Sequence, residues 1–415
     1  MRTGRLLLFL MFTASMVGIA GCSATGKLAT QNVAGFYDPG LQLEGLRYTV
    51  FNLDDSLSNL YFRFPLNELK YQQISGSKPF ARYRIDYQLY AGYEKGILVD
   101  SGSYRGVDSL LYSGIFEDSV KIKARTGKNY IIQVILTDQN TPCSYVQYIN
   151  LPKFLHNGPA DFVLTGLNNR PLMRNYILRN EKVRIRSGFP QDSVVRLSYL
   201  RYTDQAAAVA PFLFSPDNRF LPPDAVKTGE ISFRSQVSAP FSYEAEGLYT
   251  DQLTNGKRIL FCRFYDGFPE IGSVDKMREA LRYIATDEEY KKLFSMPPRL
   301  AVDNFWIGLT GNPERALSQI KRYYKRVEEA NVLFSNVVEG WKSDRGMIYI
   351  VFGPPAVVFR NSSVEEWTYG EPGHPLSVRF YFHNSAGPAG IEDYVLTRSE
   401  DYRRPWHQAV SNWRR

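Results

Sequence analysis

The sequence predicts a multidomain protein: two antiparallel β-sandwich domains of the immunoglobulin-like kind, followed by an α+β domain. Three observations predict it. At 415 residues the chain exceeds what one ordinary hydrophobic core organises. Its 28 Tyr and 26 Phe are residue types that favour pleated, half-buried surfaces, so the composition leans towards β-structure. The apolar pattern also changes period near residue 270, from strict alternation to spacings of three and four.

Residues 1–21 read as a signal peptide rather than as part of the fold. Arg2 and Arg5 give a positive start, an apolar stretch runs from Leu6 to Ala20, and no acidic residue precedes Cys22. The stretch is short for a spanning helix, and Thr13 and Ser15 interrupt it. Ile19-Ala20-Gly21-Cys22 resembles the lipobox of bacterial lipoproteins, which implies lipidation of Cys22 and attachment to a membrane through it. Ser23 stands where an aspartate would signal inner-membrane retention, so the resemblance implies the periplasmic face of an outer membrane. Residues 22–44 carry few periodic apolar positions and the turn Asp38-Pro39-Gly40, and they read as a tether.

Residues 45–155 are expected to form the first β-domain. Tyr83, Ile85, Tyr87 and Leu89 alternate with polar residues, and Tyr130, Ile132, Val134 and Leu136 repeat the period. Asn157-Gly158-Pro159 suits a boundary, and residues 160–270 are expected to form the second β-domain, with Val195, Leu197 and Tyr199 on one face. Phe214 to Asn218 and Leu221 to Asp224 read as loops. Leu260, Cys262 and Phe264 share a strand face, which suits a buried thiol. The sequence leaves open whether Cys143 and Cys262 pair.

Helix signals take over in residues 273–400. Thr286 to Glu289 is a capping box, in which hydroxyl and carboxylate each satisfy the other's backbone amide. Pro297-Pro298 ends one helix and suits the start of the next. Asn312-Pro313 opens a longer one, with a stripe through Leu317, Ile320, Tyr324, Val327, Asn331 and Phe334. A strand is expected from Met347 to Phe352, bounded by Gly353-Pro354-Pro355, and another over Glu366 to Tyr369. The tail 401–415 places Trp406 and Trp413 among arginines, which suits either a docking peptide or a packed terminal helix.

Between the long helix and that expected strand stands Gly340-Trp341-Lys342-Ser343-Asp344, followed by Arg345-Gly346. Together with Gly353-Pro354-Pro355, Glu366-Trp367 and Phe305-Trp306, these residues resemble the GWxTD-domain family of bacterial proteins over roughly residues 273–400. Ser343 stands for the family's Thr and keeps the hydroxyl. The resemblance brings no established activity with it. The residues themselves suggest a tight helix-to-strand turn: Gly340 and Gly346 supply backbone freedom, Ser343 and Asp344 bond nearby amides, and Trp341 is buried between helix and sheet.

Composition and motifs exclude several classes. A formal charge of +8 without a concentrated basic face does not suit a nucleic-acid binder. There is no G-x-S-x-G, H-E-x-x-H or phosphate loop, and none of His156, His374, His383 and His407 pairs at helical spacing, so no metal, cofactor or catalytic residue is assigned. The resulting expectation is a non-catalytic outer-membrane lipoprotein, a structural or protein-binding part of an envelope assembly, secretion or surface machinery. Two β-domains would hold its C-terminal domain away from the membrane. The alternatives are a hydrolase or glycan-acting enzyme using Asp344, Arg345 and Glu366, and a glycan-binding protein using exposed aromatics.

Overall fold

The computed structural model describes residues 28–414, except 44, 77, 94–95, 110–113, 154–157, 190–193, 202–206, 215–226, 252–258 and 387–391. The expected signal peptide, Cys22, His156, Asn157 and most of the two loops at 214–224 lie outside the described residues.

Among the described residues the first β-unit has seven antiparallel strands in two sheets. β1 (Arg47–Asn52), β2 (Leu57–Pro65) and β5 (Ile115–Lys123) form one, and β3 (Ala81–Tyr90), β4 (Leu98–Asp108), β6 (Lys128–Asp138) and β7 (Ser144–Lys153) form the other, in the order β4-β3-β6-β7. Alternate residues of β2 are buried, and Leu60, Phe62 and Phe64 meet Tyr83, Ile85, Leu89, Ile132, Val134 and Leu136 in one core. The period-two reading of β3 and β6 therefore names the inward faces correctly.

The second β-unit comprises β8 (Phe162–Thr165), β9 (Arg184–Ser187), β10 (Val194–Arg201), β11 (Lys227–Arg234), β12 (Val237–Ser238), β13 (Gly247–Asp251) and β14 (Leu260–Arg263). Its described strands are hydrogen-bonded in one order, β14-β13-β10-β11-β12-β9-β8, rather than split into two sheets. Cys262 is fully buried on β14 and its thiol donates to the Asn336 carbonyl, whereas Cys143 is exposed, so the two are not paired. That bond already joins β14 to the C-terminal domain, as does the apolar cluster of Leu248, Phe264, Phe268 and Val337.

The C-terminal domain packs helices α1 (Val274–Ala280), α2 (Asp287–Leu293), α3 (Pro298–Thr310), α4 (Pro313–Phe334), α5 (Asp344–Phe352) and α6 (Arg403–Trp413) with an antiparallel meander. The meander's strands are β15 (Val357–Arg360), β16 (Val364–Tyr369), β17 (Val378–Ala386) and β18 (Glu392–Leu396). The caps at Thr286 and Asn312 form as the sequence indicates. Leu317 is 54% exposed, because α4 turns Ala316, Tyr323 and Ala330 inward and the Tyr323 hydroxyl donates to the Ala280 carbonyl.

A further expectation is corrected and an open one is decided. Met347 to Phe352 is not a strand but the body of α5, a helix buried on nearly every side. An uninterrupted apolar run looks the same for a buried helix and a buried strand, and here the Ser343 cap decides. The tail 401–415 is a packed helix over its described length. Trp406 and Trp413 are buried, and the Trp413 indole donates to the Val351 carbonyl at the C-terminal end of α5.

Residues 28–43 of the expected tether also do not hang free. Leu28, Val33, Ala34, Phe36 and Tyr37 are buried in the core of the C-terminal domain. This strap covers the exposed edge of β15: the Val33 amide donates to the Val358 carbonyl, and Asn32 Oδ1 accepts from the Val358 amide, each at 2.9 Å. An uncovered edge strand invites pairing with another chain, and the strap removes that opportunity. Its other side meets Ile131 and Tyr148 of the first β-unit in the same core, so that unit contacts the C-terminal domain.

Candidate functional site

The GWxSD stretch is a junction. Gly340–Lys342 form one 3-10 turn. The Gly340 amide donates to Ser335 Oγ at 2.7 Å and the Trp341 amide to Asn331 Oδ1 at 3.2 Å, so the end of α4 and the residue just after it hold the turn through two side chains. The Trp341 indole donates to Glu339, and its carbonyl accepts from the Tyr283 hydroxyl. Ser343 Oγ accepts from the Gly346 amide at 3.0 Å and donates to the Gly340 carbonyl at 2.7 Å, capping α5 and closing the turn together.

Neither glycine of the motif has positive φ, contrary to the expectation of backbone freedom. Their reason is distance. A Cβ on Gly340 would lie 2.0 Å from the Ala330 carbonyl oxygen, and one on Gly346 2.0 Å from that of Gly340. The turn is pressed onto α4, and α5 onto the turn, more closely than any side chain permits. Positive φ occurs instead at Gly353, at the end of α5, where Arg326 donates to the Ile350 carbonyl and satisfies part of the helix terminus.

Asp344 is buried, with both oxygens engaged. Oδ2 accepts from the Leu396 amide on β18 at 2.9 Å, and Oδ1 from Arg398 at 2.5 Å. Arg398 also donates to the Val209 and Ala210 carbonyls, and the Ala208 amide donates to the Lys342 carbonyl. One carboxylate thus ties α5, the meander and a segment of the second β-unit together.

Arg345, the next residue, does something different. Together with Arg360 it lines a cavity of about 220 Å³ between strap, first β-unit and C-terminal domain, walled by Phe36, Tyr37, Tyr148 and Tyr394. Beside it Glu365 is fully buried. Its Oε1 accepts from the Tyr37 hydroxyl and the Trp367 indole, both at 2.6 Å, and its Oε2 from Arg360 Nε at 2.6 Å. Burial alone pushes this carboxyl up, but Arg360 and then Arg345, with the bonds from Tyr37 and Trp367, hold it below the usual carboxylate range. Burial raises the Tyr37 hydroxyl, which stays a neutral donor.

The sequence-named acid Glu366 does not join this group. It lies on the other face of β16, 3.7 Å from Arg379, and does not converge with Asp344 and Arg345. Trp367 is buried, and Pro354-Pro355 follow α5 rather than a strand. Glu365, Arg360, Tyr37 and Arg398 are the residues that sequence reasoning missed. One signal was present: Trp367 and Glu365 are two apart on a strand, so an inward indole puts the carboxylate inward too. Tyr37 is 328 positions from Glu365 and gives no such signal. No group of His, Cys, Asp and Glu suited to a metal occurs among the described residues, and no described helix is long and apolar enough to cross a membrane.

This architecture defines a class: a multidomain chain of antiparallel sheets with a helical C-terminal region built around a capped turn. Residues 247–415 match the family model of the GWxTD domain, and this part of the chain belongs to that family. The match begins at β13 and includes α6, which agrees with the core shared with β14 and with the docked tail. No curated protein matches the chain. Among solved structures, red sea bream transglutaminase is similar at 7% identity and a TM-score of 0.19, over 55% of this chain and 32% of that one. The chain spans about a third of that protein's length, and so low a score carries no argument.

Proposed function

We propose that the protein is a non-catalytic lipoprotein of the outer membrane, anchored through Cys22 on the periplasmic face. In this reading it is a structural or protein-binding component of an envelope assembly, secretion or surface machinery. The first β-unit, read as an immunoglobulin-like sandwich, serves as a platform for the C-terminal domain.

The observation that supports a non-catalytic role is Asp344. The acid that an enzyme reading would use has both oxygens engaged in holding three segments together, and Glu366, its expected partner, lies on the opposite face of β16 from the core. A general acid or base needs reach to a substrate proton, and a buried carboxylate held by an arginine and a backbone amide has none.

The test is metabolic labelling with a fatty acid followed by membrane fractionation, with in-cell crosslinking on the same strain. The wild type is expected to carry label and fractionate with the outer membrane, Cys22→Ser to lose both, and crosslinking to give a reproducible adduct of discrete mass. Unlabelled soluble wild-type protein overturns the anchor, and absence of any adduct overturns the binding role.

A further inference from the structure

We infer that the cavity between strap, first β-unit and C-terminal domain is a binding site for a carboxylate group, with Arg345 as the fork that holds it. This goes beyond the lipoprotein reading and depends on neither lipid nor envelope partner.

Three observations carry it. The first is the state of Arg345. Its side chain is only 14% accessible, and its guanidinium lies over the Phe334 and Tyr394 rings at 5.1 and 4.2 Å. Among the described residues the acid nearest to it is Glu365, at 3.7 Å, too far for a hydrogen bond, and Arg345 donates to no other acceptor there. With rings at its faces, its N–H edge is what remains for an acceptor. A guanidinium presents those donors as a planar fork that matches two carboxylate oxygens. Arg360 is unlike it, since it already donates to Glu365 and Tyr37.

The second is charge. Two guanidinium groups and one carboxylate leave one positive charge at the cavity, which one negative charge balances. A dianionic phosphate would bring its second charge close to Glu365, which is ionised in this setting.

The third is shape. A volume of about 220 Å³ walled by Phe36, Tyr37 and Tyr148 is below that of a drug-sized pocket. It suits a small carboxylic acid, or the carboxylate end of a longer chain with an apolar neighbour. A free acid and a peptide C-terminus present the same group.

The experiment is calorimetric titration of the full chain in detergent with benzoate and benzamide, with N-acetyl-Gly-Phe bearing a free or amidated C-terminus, and with inorganic phosphate. Saturable binding is expected for the free acid or the free-carboxylate peptide, with at least tenfold loss for each neutral amide. The tighter of the two acids assigns the source. Arg345→Met is expected to weaken binding at least tenfold, and Arg345→Lys, which keeps the charge without the fork, less. Near-ultraviolet circular dichroism checks folding. Should Arg345→Met not fold, Leu333→Trp plugs the same cavity without touching its charges and is expected to abolish binding. Equal binding of acid and amide, unchanged binding by both variants, or binding of phosphate alone overturns the inference.

Discussion

The Tyr37 hydroxyl donates to the Glu365 carboxylate at 2.6 Å across 328 positions of chain, and accepts from Arg360 at the same distance. The tyrosine ring lies between Phe334 and Trp367, with centroids 5.5 and 4.9 Å away. A residue from the start of the described chain is thus part of the polar centre of the C-terminal domain. Tyr37→Phe keeps the ring and removes the hydroxyl, so Glu365 loses one donor and Arg360 one acceptor inside the core. A loss of about 1–3 kcal/mol is expected in urea unfolding. A midpoint equal to wild type would show that the hydroxyl is dispensable.

Glu365→Gln leaves the Arg360 guanidinium without its carboxylate, and breaking a buried pair in this way costs about 3–5 kcal/mol. The pH dependence has a definite sign. The folded carboxyl is held below its ordinary value, so its contribution is fully present above about pH 4.3 and is lost as the pH falls through the folded value. The stability gap between wild type and Glu365→Gln should narrow below that pH. Denaturant melts of both proteins at a series of acid pH values measure it, and a gap that widens instead contradicts the assignment.

Gly340→Ala and Gly346→Ala each place a methyl group 2.0 Å from a backbone oxygen, where neither side can yield cheaply. Each should cost about 3 kcal/mol or more. Gly308 is the control: it lies inside α3 with nothing within 4 Å of its added Cβ, so Gly308→Ala should stabilise by about 0.5–1 kcal/mol. Thermal unfolding of the three variants tests the contrast, and similar melting temperatures would count against it.

Ser343 and Asp344 separate a cap from a tie. Ser343→Ala removes the α5 cap at a cost of about 1 kcal/mol, while Ser343→Thr keeps the oxygen and should be near neutral. Asp344→Ala leaves Arg398 and the Leu396 amide without their acceptor and should cost about 3–5 kcal/mol. Equal losses for Ser343→Ala and Asp344→Ala in chemical unfolding would refute the distinction.

The two described cysteines differ in burial, and alkylation reads this directly. Cys143 is exposed and Cys262 is fully buried. Peptide mapping after brief treatment with iodoacetamide should find Cys143 modified in the native protein and Cys262 only after denaturation. Modification of both at similar rates would mean that β14 opens readily.

Much of the fold was legible because it is local. Alternation named the inward residues of β3, β6 and β10. The caps at Thr286 and Asn312 marked helix starts within three residues of themselves, and ordered fragments around Gly340-Trp341 pointed to the GWxTD domain that residues 247–415 match. What misled was equally physical. An apolar run from Met347 to Phe352 carries no period when every side is buried, and a motif glycine does not say whether it serves φ or distance.

Only the tertiary structure decided the rest. That Glu365 rather than Glu366 belongs to the buried charge group follows from which face of β16 meets α4 and α5. That residues 28–43 seal a sheet edge depends on a strand more than three hundred positions away. That Arg345 faces a cavity while its neighbour Asp344 is sealed in the core depends on three separate segments arriving at the start of one helix. Hydrogen bonds and periodicity along a few residues are written in the local sequence. Close contacts between distant backbones, and the charges that such contacts leave facing inward, come into being only when the chain folds back on itself.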